Sequence, residues 1–157
     1  MNNTDLQHLR TSIEVAHSAR EHGNHPFGAL LVDENGRVLL RAENTVITER
    51  DCTGHAETNL MRLATREYSP EKLARCTLYA STEPCAMCSG AIHWGNVGRV
   101  VYALSEINLY EIVGPSADNL VLACRAVFSH SQRKVEVEGP APELASEARA
   151  VHANFWN

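Results

Sequence analysis

The sequence predicts an α/β domain, in which strands and helices alternate along the chain. Short apolar runs bounded by turn residues are followed by segments whose apolar residues recur at helical spacing. A tight Asn35-Gly36 turn between two strand-like runs indicates a hairpin. Polar and sulfur-bearing residues come directly after strands, where α/β proteins place their sites.

The first part of the chain predicts a helix followed by the hairpin. Thr4 and Gln7 match a capping box, and the helix that they begin is expected to end near Gly23. The hairpin strands are predicted at residues 26–32 and 37–42. Gly28, inside the first strand, indicates a close approach to a ligand or to another element.

The central part predicts a helix from His55 to Tyr68, a strand at 77–81, a helix ending at Trp94 and a strand at 99–103. Beyond Leu104 the pattern is weaker. There we predict a helical turn, a helix, an edge strand and a final helix, at residues 108–112, 120–128, 135–137 and 143–155.

Composition limits the class of protein. A chain of 157 residues with 44% hydrophobic residues can bury a core of its own, and we expect one domain over residues 1–157. No apolar run approaches the roughly 20 residues of a membrane helix, and the N-terminus lacks a signal-peptide pattern, so we expect a cytoplasmic protein without membrane contact.

Five cysteines, an odd number, argue against a disulfide framework. The net charge of −5 argues against nucleic acid as a partner and favours a small-molecule substrate.

The segment 81–94 carries the strongest chemical signal. Pro84 fits the first position of a helix, because its missing N–H would have no partner there. Cys85 and Cys88 then lie on one helical face. The free N–H groups of a first helical turn favour thiolates. The segment therefore predicts a pair of thiolates that hold a metal.

The upstream sequence His55-Ala56-Glu57 decides which kind of metal site this is. A Cys-x-x-Cys alone could be a redox pair or half of a structural zinc site. His-x-Glu followed by Pro-Cys-x-x-Cys resembles the signature of the zinc deaminases, in which one His and two Cys hold zinc and the Glu is not a ligand. We therefore predict one Zn²⁺ per chain, bound by His55 together with the two cysteines. A closed structural site would need a fourth ligand, for which Cys52 and His93 are the candidates nearby in the sequence.

Glu57 is predicted to be the catalytic acid and base. It would take a proton from the water that zinc activates, deliver it to a ring nitrogen and then protonate the departing amine. This requires one carboxylate within hydrogen-bond reach of both the water and the substrate.

At these residues the chain resembles the cytidine/deoxycytidylate deaminase superfamily. The resemblance runs from about residue 27 to 102 and rests on the pieces Pro26-Phe27-Gly28-Ala29, Asn44, His55-Ala56-Glu57, Glu83-Pro84-Cys85-x-x-Cys88 and Gly90-Ala91-Ile92. It implies a three-layer α/β/α fold around a mixed five-stranded sheet, a homodimer, and hydrolytic deamination of an aminated ring. It also implies that Asn44 holds the base. The further substrate contacts that we expect are Phe27, Ala56, Glu83, Trp94 and Glu111.

The substrate is less well determined than the reaction. The segment 90–94 is similar to that of bacterial guanine deaminases, which carry Trp at this place, so a free guanine-type purine is favoured. Glu111 and Asp118 are the candidates for the acidic residue that recognises the purine in those enzymes. Some members close the pocket with a C-terminal aromatic segment. Residues 140–157 are the candidate for this role here, although ordinary core packing of Phe155 and Trp156 is favoured.

Two alternatives remain. The tRNA adenosine deaminases share the core, but they typically follow the last core strand with an Asp-Lys-x-Gly-Ala-x-Gly stretch, from which residues 105–112 depart. Cytosine, isocytosine and aminotriazines are the second alternative.

Overall fold

A computed structural model describes residues 1–156. The elements follow the predicted alternation of helices and strands. In chain order they are α1 (Asn3–Glu21), β1 (Gly28–Val32), β2 (Val38–Glu43), α2 (Val46–Glu49), α3 (Ala56–Glu67), α4 (Pro70–Leu73), β3 (Thr77–Thr82), α5 (Ala86–Trp94), β4 (Arg99–Leu104), α6 (Glu106–Val113), α7 (Cys124–Ser129), β5 (Glu136–Glu138), a 3₁₀ turn (Pro142–Leu144) and α8 (Ala145–Ala150).

The five strands form one mixed sheet in the order β2-β1-β3-β4-β5. The hairpin strands β1 and β2 are antiparallel, and β1 is antiparallel to β3 on its other side. The pairs β3–β4 and β4–β5 are parallel. The carboxyl ends of β3 and β4 therefore meet at one edge of the sheet, where residues from both strands can share a site.

Helices cover both faces of the sheet. Alternate strand residues point to opposite faces, so Leu78 and Ala80 pack in one core cluster while Tyr79 packs in the other. Residues of α3, α5 and α7 complete the first cluster, and residues of α1, α6 and α8 complete the second. This arrangement confirms the three-layer α/β/α fold. Within residues 1–156, no helix combines the length and apolar character needed to cross a membrane.

The start of α1 lies earlier than predicted. Asn2, not Thr4, caps the helix: its side chain accepts the backbone N–H of Asp5, and the Asp5 carboxylate accepts the N–H of Asn2. Asp5 is buried, and it also accepts hydrogen bonds from Arg99 at 2.8 Å and from the Tyr79 hydroxyl at 2.7 Å. Burial alone would raise the pKa of Asp5, but the Arg99 and Tyr79 bonds hold it well below its usual range. This charged contact ties α1 to the sheet.

Gly28 lies where the β1 backbone meets α1. A Cβ at this position would come within 2.5 Å of the Ser12 carbonyl oxygen and 2.6 Å of the Ala16 nitrogen. The close approach that the sequence indicated is therefore an approach to another element.

Two helices are shorter than predicted from the sequence. Residues 120–123 have no regular structure, and their leucine and valine side chains are exposed because no neighbouring element covers them. The helix α7 starts only at Cys124, whose N–H donates to the Glu83 carboxylate at 3.0 Å. The predicted C-terminal helix is also shorter. It ends as α8 at Ala150, and the Arg20 guanidinium donates to the carbonyls of Val151 and Ala153 beyond it.

Candidate metal centre and active site

The three predicted ligands converge at the N-termini of two helices. His55 is the N-cap residue of α3, Cys85 is the N-cap residue of α5, and Cys88 lies in the first turn of α5. Pro84 therefore lies one residue before the cap, not inside the helix. The α3 and α5 helices pack side by side on the same face of the sheet, which brings their first turns together.

The donor atoms fit a zinc ion. The ligand atoms of His55, Cys85 and Cys88 all lie within 4.8 Å of one another, and Cys85 Sγ is 3.6 Å from His55 Nδ1. Tetrahedral bonds of about 2.0 Å to nitrogen and about 2.3 Å to sulfur separate such donors by roughly 3.5 Å. A neutral imidazole and two thiolates form a donor set that zinc prefers, and they leave a fourth position for water.

The thiol of Cys85 is activated by its neighbours. The neighbouring Cys88 thiol, followed by the His55 ring, lowers the pKa of Cys85 to about 4, although burial opposes this shift. The thiolate is the form that binds a metal. The protein thus prepares this ligand for zinc at neutral pH.

Glu57 lies beside the cluster, in the first turn of α3. Its side chain is buried, and Cys88 Sγ donates to Glu57 Oε2 at 3.5 Å. Burial, followed by the negative charge of Cys85, raises the pKa of Glu57 to about 7. A carboxyl group with such a pKa can both accept and return a proton near neutral pH.

Glu57, His55 and Cys85 open onto a cavity of about 370 Å³. Of the residues expected to contact the substrate, Phe27 and Glu83 line this cavity. Asp118, the other acidic candidate, also lines it.

Four of the expected substrate contacts do not line the cavity. Asn44 is next to Phe27, whose carbonyl accepts the Asn44 backbone N–H at 3.1 Å. The Asn44 amide nitrogen is buried and has no hydrogen-bond partner among residues 1–156. Ala56 is fully buried at the start of α3.

The other two lie on the surface of the molecule. Trp94 ends α5, far along the helix from the cysteines, and its side chain is 84% exposed. It lies in a shallow depression with residues of α3. Glu111 faces outward on α6, where it pairs with Arg149. Helical spacing alone did not reveal that these side chains point away from the cavity.

The sequence prediction missed one carboxylate of the cavity wall, which belongs to Glu106. This residue follows the carboxyl end of β4 and is 5% exposed. Its carboxylate accepts the Tyr110 hydroxyl at 3.2 Å and the Leu122 N–H at 3.1 Å, and burial raises its pKa. Its place directly after a parallel strand was the available signal.

Glu83 supports this part of the cavity wall. Its carboxylate accepts the backbone N–H groups of Glu106 at 3.1 Å and Cys124 at 3.0 Å. It therefore holds the start of α6 and the start of α7 next to the cysteine ligands.

The C-terminal segment supplies another part of the wall. Trp156 lines the cavity, which differs from the core packing favoured for it. Its indole N–H donates to His152 Nδ1 at 3.4 Å, and its ring lies 6.0 Å from that of Phe27. Phe155 packs beside it, against His25 and the Arg20 guanidinium.

Comparison with known proteins agrees with this geometry. Residues 2–104 match the family described as the cytidine and deoxycytidylate deaminase zinc-binding region. The chain belongs to this deaminase family. The matched zinc-binding region of this chain contains His55, Cys85 and Cys88, so the chain is a zinc-binding deaminase and a hydrolase.

Within the family, relatives act on different rings. The chain is 42% identical to the probable cytosine deaminase of Schizosaccharomyces pombe over 155 residues, which is 98% of this chain and 93% of that protein. It is 40% identical to the guanine deaminase of Bacillus subtilis over 118 residues, which is 75% of this chain and 66% of that enzyme. A solved structure from studies of A-to-I editing by tRNA:A34 deaminases superposes with a TM-score of 0.71 at 27% identity, covering 93% of this chain and 99% of that one.

Proposed function

We propose that this deaminase removes the exocyclic amino group of a free nucleobase by hydrolysis and releases ammonia. The observation that carries the proposal is a buried carboxyl group, Glu57, placed between the His-Cys-Cys cluster and a cavity of about 370 Å³. A cavity of this size is at the low end of small-molecule sites.

Zinc, when bound by His55, Cys85 and Cys88, would act as a Lewis acid that makes water nucleophilic near neutral pH. Glu57 accepts the proton that the attacking water loses and delivers it to the ring nitrogen beside the amino-bearing carbon. A second proton passes through Glu57 to the amino group, which leaves as ammonia while a carbonyl forms. The raised pKa of Glu57 suits both directions of transfer.

We propose that Phe27 and Asn44 position the base, with Glu83 supporting the wall. The buried amide nitrogen of Asn44 without a protein partner supports a role as a donor to a substrate. We further propose that the C-terminal segment of the same chain closes the cavity through Trp156, within a single domain. Trp94 and Glu111 are not part of the proposed set, because their side chains lie on the surface of the molecule, away from the cavity.

A cytosine-type pyrimidine is the favoured ring. The match to the S. pombe protein covers 98% of this chain, so it extends over the segment after β4 and most of the C-terminal segment that line the cavity. A guanine-type purine, which the sequence reading favoured, is the second candidate. It is supported by the 40% identity to the B. subtilis enzyme, whose match covers less of the chain.

An ammonia-release assay tests the proposal. The purified zinc-loaded protein is incubated with cytosine, guanine and adenine as free bases, with cytidine, and with a tRNA, next to a Glu57→Gln variant. We expect ammonia from a free base, cytosine before guanine, and none above background from the variant. Inosine formed in the tRNA without turnover of any free base would overturn the proposal.

We also propose that the chain forms a homodimer through the outer face of α3 and α5. Met87, Ala91 and Trp94 share one face of α5, and the 84% exposed Trp94 is an unusually large apolar group to leave in water. Light scattering on wild-type protein and on Trp94→Ser tests this. A dimer that weakens in the variant is expected, whereas a wild-type monomer at micromolar concentration would refute it.

A further inference from the structure

Thr82 is a polar residue at a position where packing alone favours an apolar one. It ends β3, and the strand alternation places it on the same face as Leu78 and Ala80, which belong to the apolar cluster under α3 and α5. The residue is 4% exposed.

The hydroxyl of Thr82 has no hydrogen-bond partner among the described residues. Its Oγ1 is buried, whereas the neighbouring Ser81 Oγ accepts the Gly28 N–H at 3.1 Å. A buried hydroxyl without a partner destabilises a fold, and valine has nearly the same shape without this cost. A threonine at this position therefore suggests a partner from outside the chain.

Thr82 also lines the catalytic cavity, three residues before the ligand Cys85. Four carboxylates line the same cavity and can accept hydrogen bonds from the N–H groups of a ring: Glu57, Glu83, Glu106 and Asp118. Among the hydroxyl groups of the wall, Tyr110 donates to Glu106 and the exposed Ser116 accepts the Asp118 N–H. The buried Thr82 hydroxyl has no partner among the described residues. The cavity wall thus has several acceptors, and Thr82 adds a buried hydroxyl without a protein partner.

We propose that Thr82 determines substrate specificity by donating a hydrogen bond to a carbonyl oxygen on the ring of the base. The inference rests on the proposed deamination of a free nucleobase and adds to it one chemical requirement: the ring carries an oxo group besides the amino group that leaves. Both cytosine and guanine meet this requirement, and adenine does not. A site built around such a bond disfavours analogues that lack the oxygen.

The test combines two variants with two pairs of bases. Thr82→Val keeps the shape and removes the hydroxyl, and Thr82→Ser keeps the hydroxyl. Thr77→Val, at the opposite end of β3, is the matched control. Each protein is assayed with cytosine and 4-aminopyrimidine, and with guanine and 2-aminopurine. Within each pair the amino group that leaves is retained and the oxo group is absent from the second base.

We expect Thr82→Val to lower kcat/KM for the oxo-bearing base by ten-fold or more, mainly through KM, and to change it less than three-fold for its oxo-free partner. Thr82→Ser and Thr77→Val should stay close to wild type on both. An equal loss on both members of a pair, no loss on either, or a loss of zinc in Thr82→Val would each overturn the proposal. Wild-type protein that deaminates none of the bases would instead refute the proposed function itself, and this inference with it.

Discussion

Mild acid should destabilise the C-terminal segment through His152. This residue is 1% exposed, its Nε2 is buried without a partner among residues 1–156, and its Nδ1 accepts the Trp156 indole N–H. Burial, followed by the positive charges of Arg20 and His17, lowers the pKa of His152 from 6.5 to about 4. Protonation would also place a donor opposite the indole N–H and so remove their hydrogen bond.

The direction in which pH changes the folding free energy follows from proton binding. Above pH 6.5, His152 is neutral in both the folded and the unfolded chain and does not affect the pH dependence. As the pH falls from 6.5 to about 4, the unfolded chain binds a proton that the folded chain excludes, so folding becomes less favourable. A difference of this size in pKa corresponds to about 2 kcal/mol of lost folding free energy at pH 5 and about 3 kcal/mol at pH 4.

Urea unfolding between pH 7 and pH 5 measures this loss. His152→Gln is the informative variant, since glutamine does not titrate and its amide oxygen can still accept the indole N–H. His130→Gln, at an exposed site, is the control. Wild type and the control should lose about 2 kcal/mol more than His152→Gln over this range. If all three lose the same free energy, the reasoning about His152 is wrong.

Three further outcomes are expected. Glu57→Gln should lower kcat by about 10²–10⁴-fold with zinc retained by elemental analysis; unchanged turnover would exclude the proton-shuttle role. Cys88→Ser should lose zinc on dialysis against a weak chelator under conditions in which wild type keeps it, because the hydroxyl is a poor zinc ligand; retention of full metal content would contradict the ligand assignment. Gly28→Ala should lower the free energy of unfolding by about 1–3 kcal/mol, since its Cβ would meet the α1 backbone at 2.5 Å; a thermal shift of zero would show that α1 can move away.

Much of the fold was predictable because its signals are local. The Asn35-Gly36 turn specified the hairpin. Apolar spacing specified the helices α3 and α5 and the parallel strands β3 and β4. The elements after β4 were less predictable. Residues 120–123 are apolar enough for a buried helix, but the chain offers no surface to cover them, and only packing decides that.

The metal cluster was predictable for a similar reason. His55, Cys85 and Cys88 carry their chemistry in residue type and short spacing, and a helix N-terminus follows from each local sequence. The residues on the substrate side of the site were not predictable from the sequence. Trp94 and Glu111 have suitable side chains but point away from the cavity, whereas Glu106 and Thr82 line it with no motif to mark them.

The sequence by itself determined the α/β class, the His-Cys-Cys cluster and the position of the carboxyl group that we propose as acid and base, because each is marked by a short local pattern. Only the tertiary structure decided which side chains form the wall of the cavity. That wall joins the ends of β3 and β4 to a C-terminal tryptophan that follows β4 by about fifty residues. Its composition depends on how strands pair and where helices end, and no spacing along the chain encodes those contacts directly.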